Sequence, residues 1–307
     1  MLQITNHPLY RKHDIDSVMN SFWAFYKSRF LTLFLTSFVM SLIVQYGSTF
    51  IDLKELQTMT GDPMAMLEKL KEYIVPMIII GMVGLFFSNI LHYYILFNPL
   101  DSTKNIFISV IESLKYFIPY LIILILLAFF GSFAIVLGLM ALIVGVFFSF
   151  LYLMMISLFI LPVMMAEGIN IGNTLIRTAK LSHRNFWNNI GWTAVFLILL
   201  IIVSLILSGI TMLPFTGSFI KSITNPEDAG KVLEMTSSPL FIILSALVNA
   251  LTMPVIPIFG FLLYFNARAR EVMVEAPVYG DDNYKVRVED LYAKPLPEDD
   301  KKEGLKS

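Results

Sequence analysis

Between Tyr116 and Ala166 the chain runs for 51 residues without an Asp, Glu, Lys, Arg or His. A membrane-crossing helix needs about 20 predominantly apolar residues, so this stretch predicts two spans joined by a very short turn. Gly131, Ser132 and Gly138 are the residues that suit such a turn, because glycine tolerates tight backbone. Four further apolar windows of span length lie at Phe30–Phe50, Ile74–Phe97, Ile190–Leu213 and Leu240–Phe265. In hydrocarbon, backbone polar groups must bond within the protein, and an apolar run of this length does so as a helix. The pattern therefore predicts an all-α polytopic membrane protein with six transmembrane helices.

Each span running away from the N-terminal side is preceded by a shorter periodic segment. Ile15, Val18, Met19, Phe22, Trp23 and Tyr26 recur at helical spacing, with Asp14 placed as N-cap. Phe107, Val110, Ile111 and Leu114 form a second stripe, with Ser102 or Asp101 as cap. Leu175, Ile176 and Ala179 form a weaker third, opened by Asn173. Such segments are expected to be amphipathic helices lying at the membrane surface. The chain then reads as three units, each an interfacial helix followed by a helical hairpin. Its organisation is a segment 1–29 with the first amphipathic helix, a six-span domain 30–270 and a polar tail 271–307. The two longer loops on the opposite side, Ile51–Tyr73 and Pro214–Pro239, carry short helical patterns such as Met64–Tyr73. Residues 275–307 hold nine acidic and six basic residues and three prolines, the composition of an extended solvated tail, within which Tyr284–Tyr292 could dock as a short ordered piece.

Charge sets the orientation. With the N-terminus inside, the inner segments carry eleven Lys and Arg near the spans, the C-terminal tail aside, and the outer loops five, which predicts both termini in the cytoplasm. The first span is expected to serve as an uncleaved insertion signal, since the first 29 residues show no apolar core or cleavage site. Composition agrees: 57% of residues are hydrophobic and 15% charged, against about 25% charged in a soluble domain. A net charge of −1 gives no global attraction for nucleic acid. The absence of cysteine excludes disulfides, thiolate metal sites and cysteine nucleophiles, and the four histidines are scattered.

Few residues inside the spans could carry chemistry. His92, with Asn89 on nearly the same face, could relay a proton or a solute; a histidine bonded to a neighbouring helix is the simpler reading. Asn249, like Gln45, suits a hydrogen bond between helices. Pro254 and Pro257 must distort the last span. No Walker loop, nucleophile elbow, zinc-protease or calcium-loop motif is present. The densest cluster follows the fourth span. Glu167 stands at its mouth, Arg177, Thr178, Lys180 and Arg184 follow, and Trp187 opens the fifth span as an interfacial anchor. An acid at a membrane edge loses hydration and should find a cation, for which Arg177, Arg184, Arg268 and Arg270 are the candidates.

This segment resembles the inner loop of a bacterial family of six-span proteins: the membrane domain of some glycerophosphoryl diester phosphodiesterases and the related YciC-like proteins. Pro162, Glu167, Gly168, Arg177, Leu181, Phe186 and Trp187 match its pattern, and Thr178 stands where serine is usual. Tyr264, Arg268, Arg270 and Glu271 match the end of its last span loosely, with Asn266 in place of an acid. The resemblance implies a fold for residues 160–272, and for the first half by topology alone. It carries no activity across, because no soluble segment is long enough for the phosphodiesterase domain. The expectation is a non-enzymatic inner-membrane protein without cofactor. It would be an accessory or scaffolding component acting through its cytoplasmic face on lipids or on another membrane or cytoplasmic protein. A small-solute or lipid transporter is the alternative.

Overall fold

A computed structural model describes residues 4–51, 63–217, 220 and 235–275. The chain divides into two compact units, Met1–Ala269 and Arg270–Ser307. Of the second, only the short helical stretch 270–275 is described; the rest of the tail with its Tyr284–Tyr292 segment lies outside the described residues, as do residues 52–62 of the first longer loop and most of the second. The structure is all-α and polytopic, with six helical segments long and apolar enough to cross a membrane.

The helices are α1 (Ile15–Ser28), α2 (Phe30–Ser48), α3 (Pro63–Phe97), α4 (Ile106–Met140), α5 (Leu142–Glu167), α6 (Ile171–Arg184), α7 (Phe186–Met212), α8 (Pro239–Thr252) and α9 (Val255–Glu275). The spans are α2, α3, α4, α5, α7 and the pair α8–α9. We call the end of the bundle at which α2 begins and α5 ends the basal end. Asp14 caps α1 as expected, accepting from the Ser17 N–H while Ser17 Oγ accepts from the Asp14 N–H.

Three local expectations are corrected. The turn between the third and fourth spans falls at Ala141 and Leu142, and Leu142 takes the left-handed φ of 59°. Gly131 and Gly138 lie inside α4, where they serve close packing. A Cβ on Gly138 would stand 2.6 Å from Ser149 Oγ and 2.7 Å from the Gly145 carbonyl. Second, the apolar stripe Phe107–Leu114 is not a separate interfacial helix but the first turns of α4. Asn105 caps it by accepting from the Ile108 N–H, while Asp101 folds back on Thr103. Third, α6 is capped by Asn170 rather than Asn173. Each true cap stands just before its helix in extended backbone, the geometry in which a short side chain reaches the second or third N–H.

The core is concentrated at the basal end. Ile90, Leu91, Ile95 and Leu96 of α3, Phe159–Met164 of α5, and Phe261–Phe265 of α9 are almost wholly buried. Their contacts are direct. The Phe196 and Phe259 rings stack at 3.9 Å, and Gly260 lies against the Leu158 carbonyl. At the opposite end Met140, Leu142, Ile143 and Val144 are among the most exposed residues.

Proline shapes this core. Pro99 and Pro162 each lack an N–H, so the carbonyl four residues earlier loses its helical partner. Other elements supply replacements. His7 reaches the Ile95 carbonyl at 3.0 Å, four residues before Pro99. The glycine face of Gly260 meets the Leu158 carbonyl, four residues before Pro162. A separate contact lies at the break between α8 and α9, where the Leu251 carbonyl, three residues before Pro254, accepts from the Tyr26 hydroxyl at 3.0 Å. The segment before α1, which carries no periodic signal, is thereby built into the fold: His7, Leu9 and His13 are all buried.

Candidate functional site

The most elaborate polar arrangement in the first unit surrounds Glu167. Gly168, at φ +123°, ends α5, a conformation that L side chains rarely adopt. Three residues later the chain starts α6, which carries Arg177 back to Glu167. Arg177 Nε donates to Glu167 Oε2 at 2.6 Å and Nη2 to Oε1 at 3.1 Å, a two-point grip. The buried Tyr264 hydroxyl donates to Oε1 at 3.1 Å, and Arg268 Nε stands 3.4 Å from the same oxygen. The carboxylate thus ties α5, α6 and α9 together. It sits at a helix C-terminus, where the macrodipole disfavours an anion, and the two guanidinium groups offset that cost. A groove of about 270 Å³ opens beside the pair, with Val163 and Ile176 on its apolar side and Asn173 and Arg177 on its polar side.

Of the other residues singled out, Arg184 ends α6 and Arg270 belongs to the second unit. Thr178 is buried, and its hydroxyl has no hydrogen-bond partner among the described residues. Trp187 is exposed, with its ring against Phe148 and Phe186. Asn89 and His92 lie apart from this site. His92 Nδ1 donates to the Ser88 carbonyl at 2.8 Å and its ring lies against Phe261. Asn89 is wholly buried and neither amide atom has a partner among the described residues. Asn249 is half-buried on α8.

Sequence reasoning missed the support of this loop. Tyr152 and His183 are joined at 3.2 Å, and His183 Nδ1 donates to the Ala179 carbonyl. Asn189, fully buried, donates to the Ser182 carbonyl at 2.8 Å and so closes the end of α6. Spacing gives one clue: His183 and Ala179 are four apart on one helix face. The Tyr152 contact spans 31 residues and has no local signature.

The described residues contain no group of three or more His, Asp or Glu placed to hold a metal ion. Comparison with profiles of known protein families, with curated proteins and with solved structures returns no match. Fold and site define a class, an all-α multi-pass membrane protein whose polar chemistry gathers at one end of the bundle.

Proposed function

We propose that the protein is a non-enzymatic component of a bacterial inner membrane, with both termini in the cytoplasm. In this reading it is an accessory or scaffolding protein that acts through its cytoplasmic face on lipids or a protein partner. The observation that carries the reading is the placement of exposed apolar patches around the basal end, one in each of the three hairpin units. They are Met19 and Trp23 on α1, Phe107, Ile111 and Leu114 on α4, and Ile176 on α6. Contacts between Ser149 and Ala134, and between Gly145 and Gly138, fix the α4–α5 register. Continued down the hairpin, it sets Glu167 opposite Tyr116. The first ten residues of α4 then extend about 15 Å past the Glu167 level. Lys27 lies over the Trp23 ring at 5.1 Å, an aromatic–cation pair suited to the headgroup layer. The Lys and Arg bias and the family resemblance support the same orientation.

Two measurements test the proposal. Reporter fusions after Lys115 and Asn188 should read cytoplasm, and fusions after Gln57 and Asp228 the outside; the reverse pattern would end this topology. Photo-crosslinkers at Phe107 and Ile176 in native membranes should yield a discrete protein adduct or phospholipid adducts that crosslinkers at Ile143 and Val144 do not. Equal labelling at both ends would remove the basis for a functional basal face. The rival reading, a small-solute or lipid transporter, draws on the buried Asn89 amide. It requires solute flux into proteoliposomes that Asn89→Leu abolishes.

A further inference from the structure

We propose that residues 4–13 form an acid-released latch, which fastens the basal ends of α3 and α9 while His7 and His13 are neutral and lets go when they gain protons. The hydrogen bonds fix the protonation state. The Leu9 N–H points at His7 Nδ1 at 3.1 Å, so Nδ1 must accept. The proton of neutral His7 is then on Nε2, which donates to the Ile95 carbonyl that Pro99 leaves without its helical partner. A second proton on Nδ1 would face the Leu9 N–H donor to donor. His13 adds a second anchor: Nε2 donates to the Leu9 carbonyl at 3.1 Å, and Nδ1 faces the Ser17 hydroxyl, which can donate or accept, at 3.5 Å. The His13 backbone N–H donates to Asn266 Oδ1 on α9 at 2.9 Å. His7 also lies between the Phe265 and Phe25 rings, at 4.7 and 5.8 Å. The docked site has a place for the neutral His7 ring and none for its cation.

Charged neighbours act in the same direction or weakly against it. Arg29, at the end of α1, disfavours a proton on His7; α3 presents its Ile95 carbonyl there and α9 its Phe265 ring. Arg11 disfavours a proton on His13, and exposed Asp14 favours one. Burial is the largest influence on both. It lowers His7 from the ordinary 6.5 to about 4 and lowers His13 as well. A group whose docked pKa is depressed stabilises the docked form fully above its released value. That stabilisation is lost as pH falls from about 6.5 toward 4. His7 contributes about tenfold per pH unit in this window, and His13, lowered by burial, adds to the loss in the same direction.

The test is hydrogen exchange of the full chain in lipid nanodiscs from pH 7.5 to 4.5, corrected for the intrinsic pH dependence of exchange. Protection of the Leu9, Tyr10 and His13 amides should fall steeply below pH 6.5 while Ile258–Phe265 stays protected. His7→Gln, whose amide can still donate to Ile95, should remove about tenfold per unit from the slope. A flat wild-type profile would overturn the latch, and so would loss of protection in both regions together, which is general acid unfolding. If His7→Gln fails to dock at pH 7.5, His13→Gln should lower the slope in the same direction, and the wild-type profile stands as the arbiter. A full wild-type slope in a docked variant would also refute the assignment.

Discussion

Replacing Gly260 with leucine is expected to cost about 3 kcal/mol of stability, the upper part of the usual range for overpacking. A Cβ at this position would lie 2.8 Å from the Leu158 carbonyl oxygen and 3.6 Å from Pro162 Cγ. The obstacle at Leu158 is backbone, so no side chain can swing aside. Leu158 to Leu161 are buried, as are Phe259 and Phe261, and the helices can relieve the clash only by parting along that whole contact. The loss is chemical as well as steric. The Leu158 carbonyl has no helical N–H because Pro162 stands four residues on, and the glycine hydrogen in the Cβ direction supplies a weak C–H···O contact. Small residues permit such close approach between membrane helices. Gly260→Ala should have the same effect at a smaller size. Thermal unfolding in detergent, followed by loss of monodisperse protein, would measure both. Wild-type stability of Gly260→Leu would mean that α5 and α9 are not in backbone contact.

Glu167→Ala comes second, at about 2–3 kcal/mol. Breaking a buried ion pair by removing one partner costs about 3–5 kcal/mol. The estimate is lowered because side-chain exposure here is 20% for Glu167, 22% for Arg177 and 34% for Arg268, and solvent screens the pairs in part. The buried Tyr264 hydroxyl also loses its acceptor, and that loss is not screened. Glu167→Gln should fall between wild type and alanine, because an amide oxygen can still accept from Tyr264. The exchange Glu167→Arg with Arg177→Glu should recover part of the loss. Recovery of the same size with Arg184→Glu in place of Arg177→Glu would show that overall charge, not the α5–α6 contact, sets the effect. An unchanged melting temperature for Glu167→Ala would show that the carboxylate does not hold the two helices.

The amino-acid sequence by itself determined the six spans and the all-α class. In lipid, a charge-free apolar run of about 20 residues satisfies its own backbone as a helix, so composition alone is decisive. It also determined that Glu167 would take a cation, because an acid at a span's end is under-solvated wherever the chain goes next. The Asp14 cap was legible because the box closes within three residues. Tertiary structure decided what depends on a second element. Gly131 and Gly138 look like turn residues along the chain; only the facing helix makes them packing residues and moves the turn to Ala141. The Phe107–Leu114 stripe has the period of a surface helix, but nothing local breaks it from the span that follows, so α4 runs straight through. Which arginines reach Glu167 depended on how α6 and α9 pack. The burial of His7 and Leu9 had no signature at all, because their partners lie at Ile95 and Phe265, far along the chain. A sequence shows that Pro99 and Pro162 strip two carbonyls of their partners. What fills them, a histidine ring in one case and a glycine face in the other, is fixed only when distant helices meet.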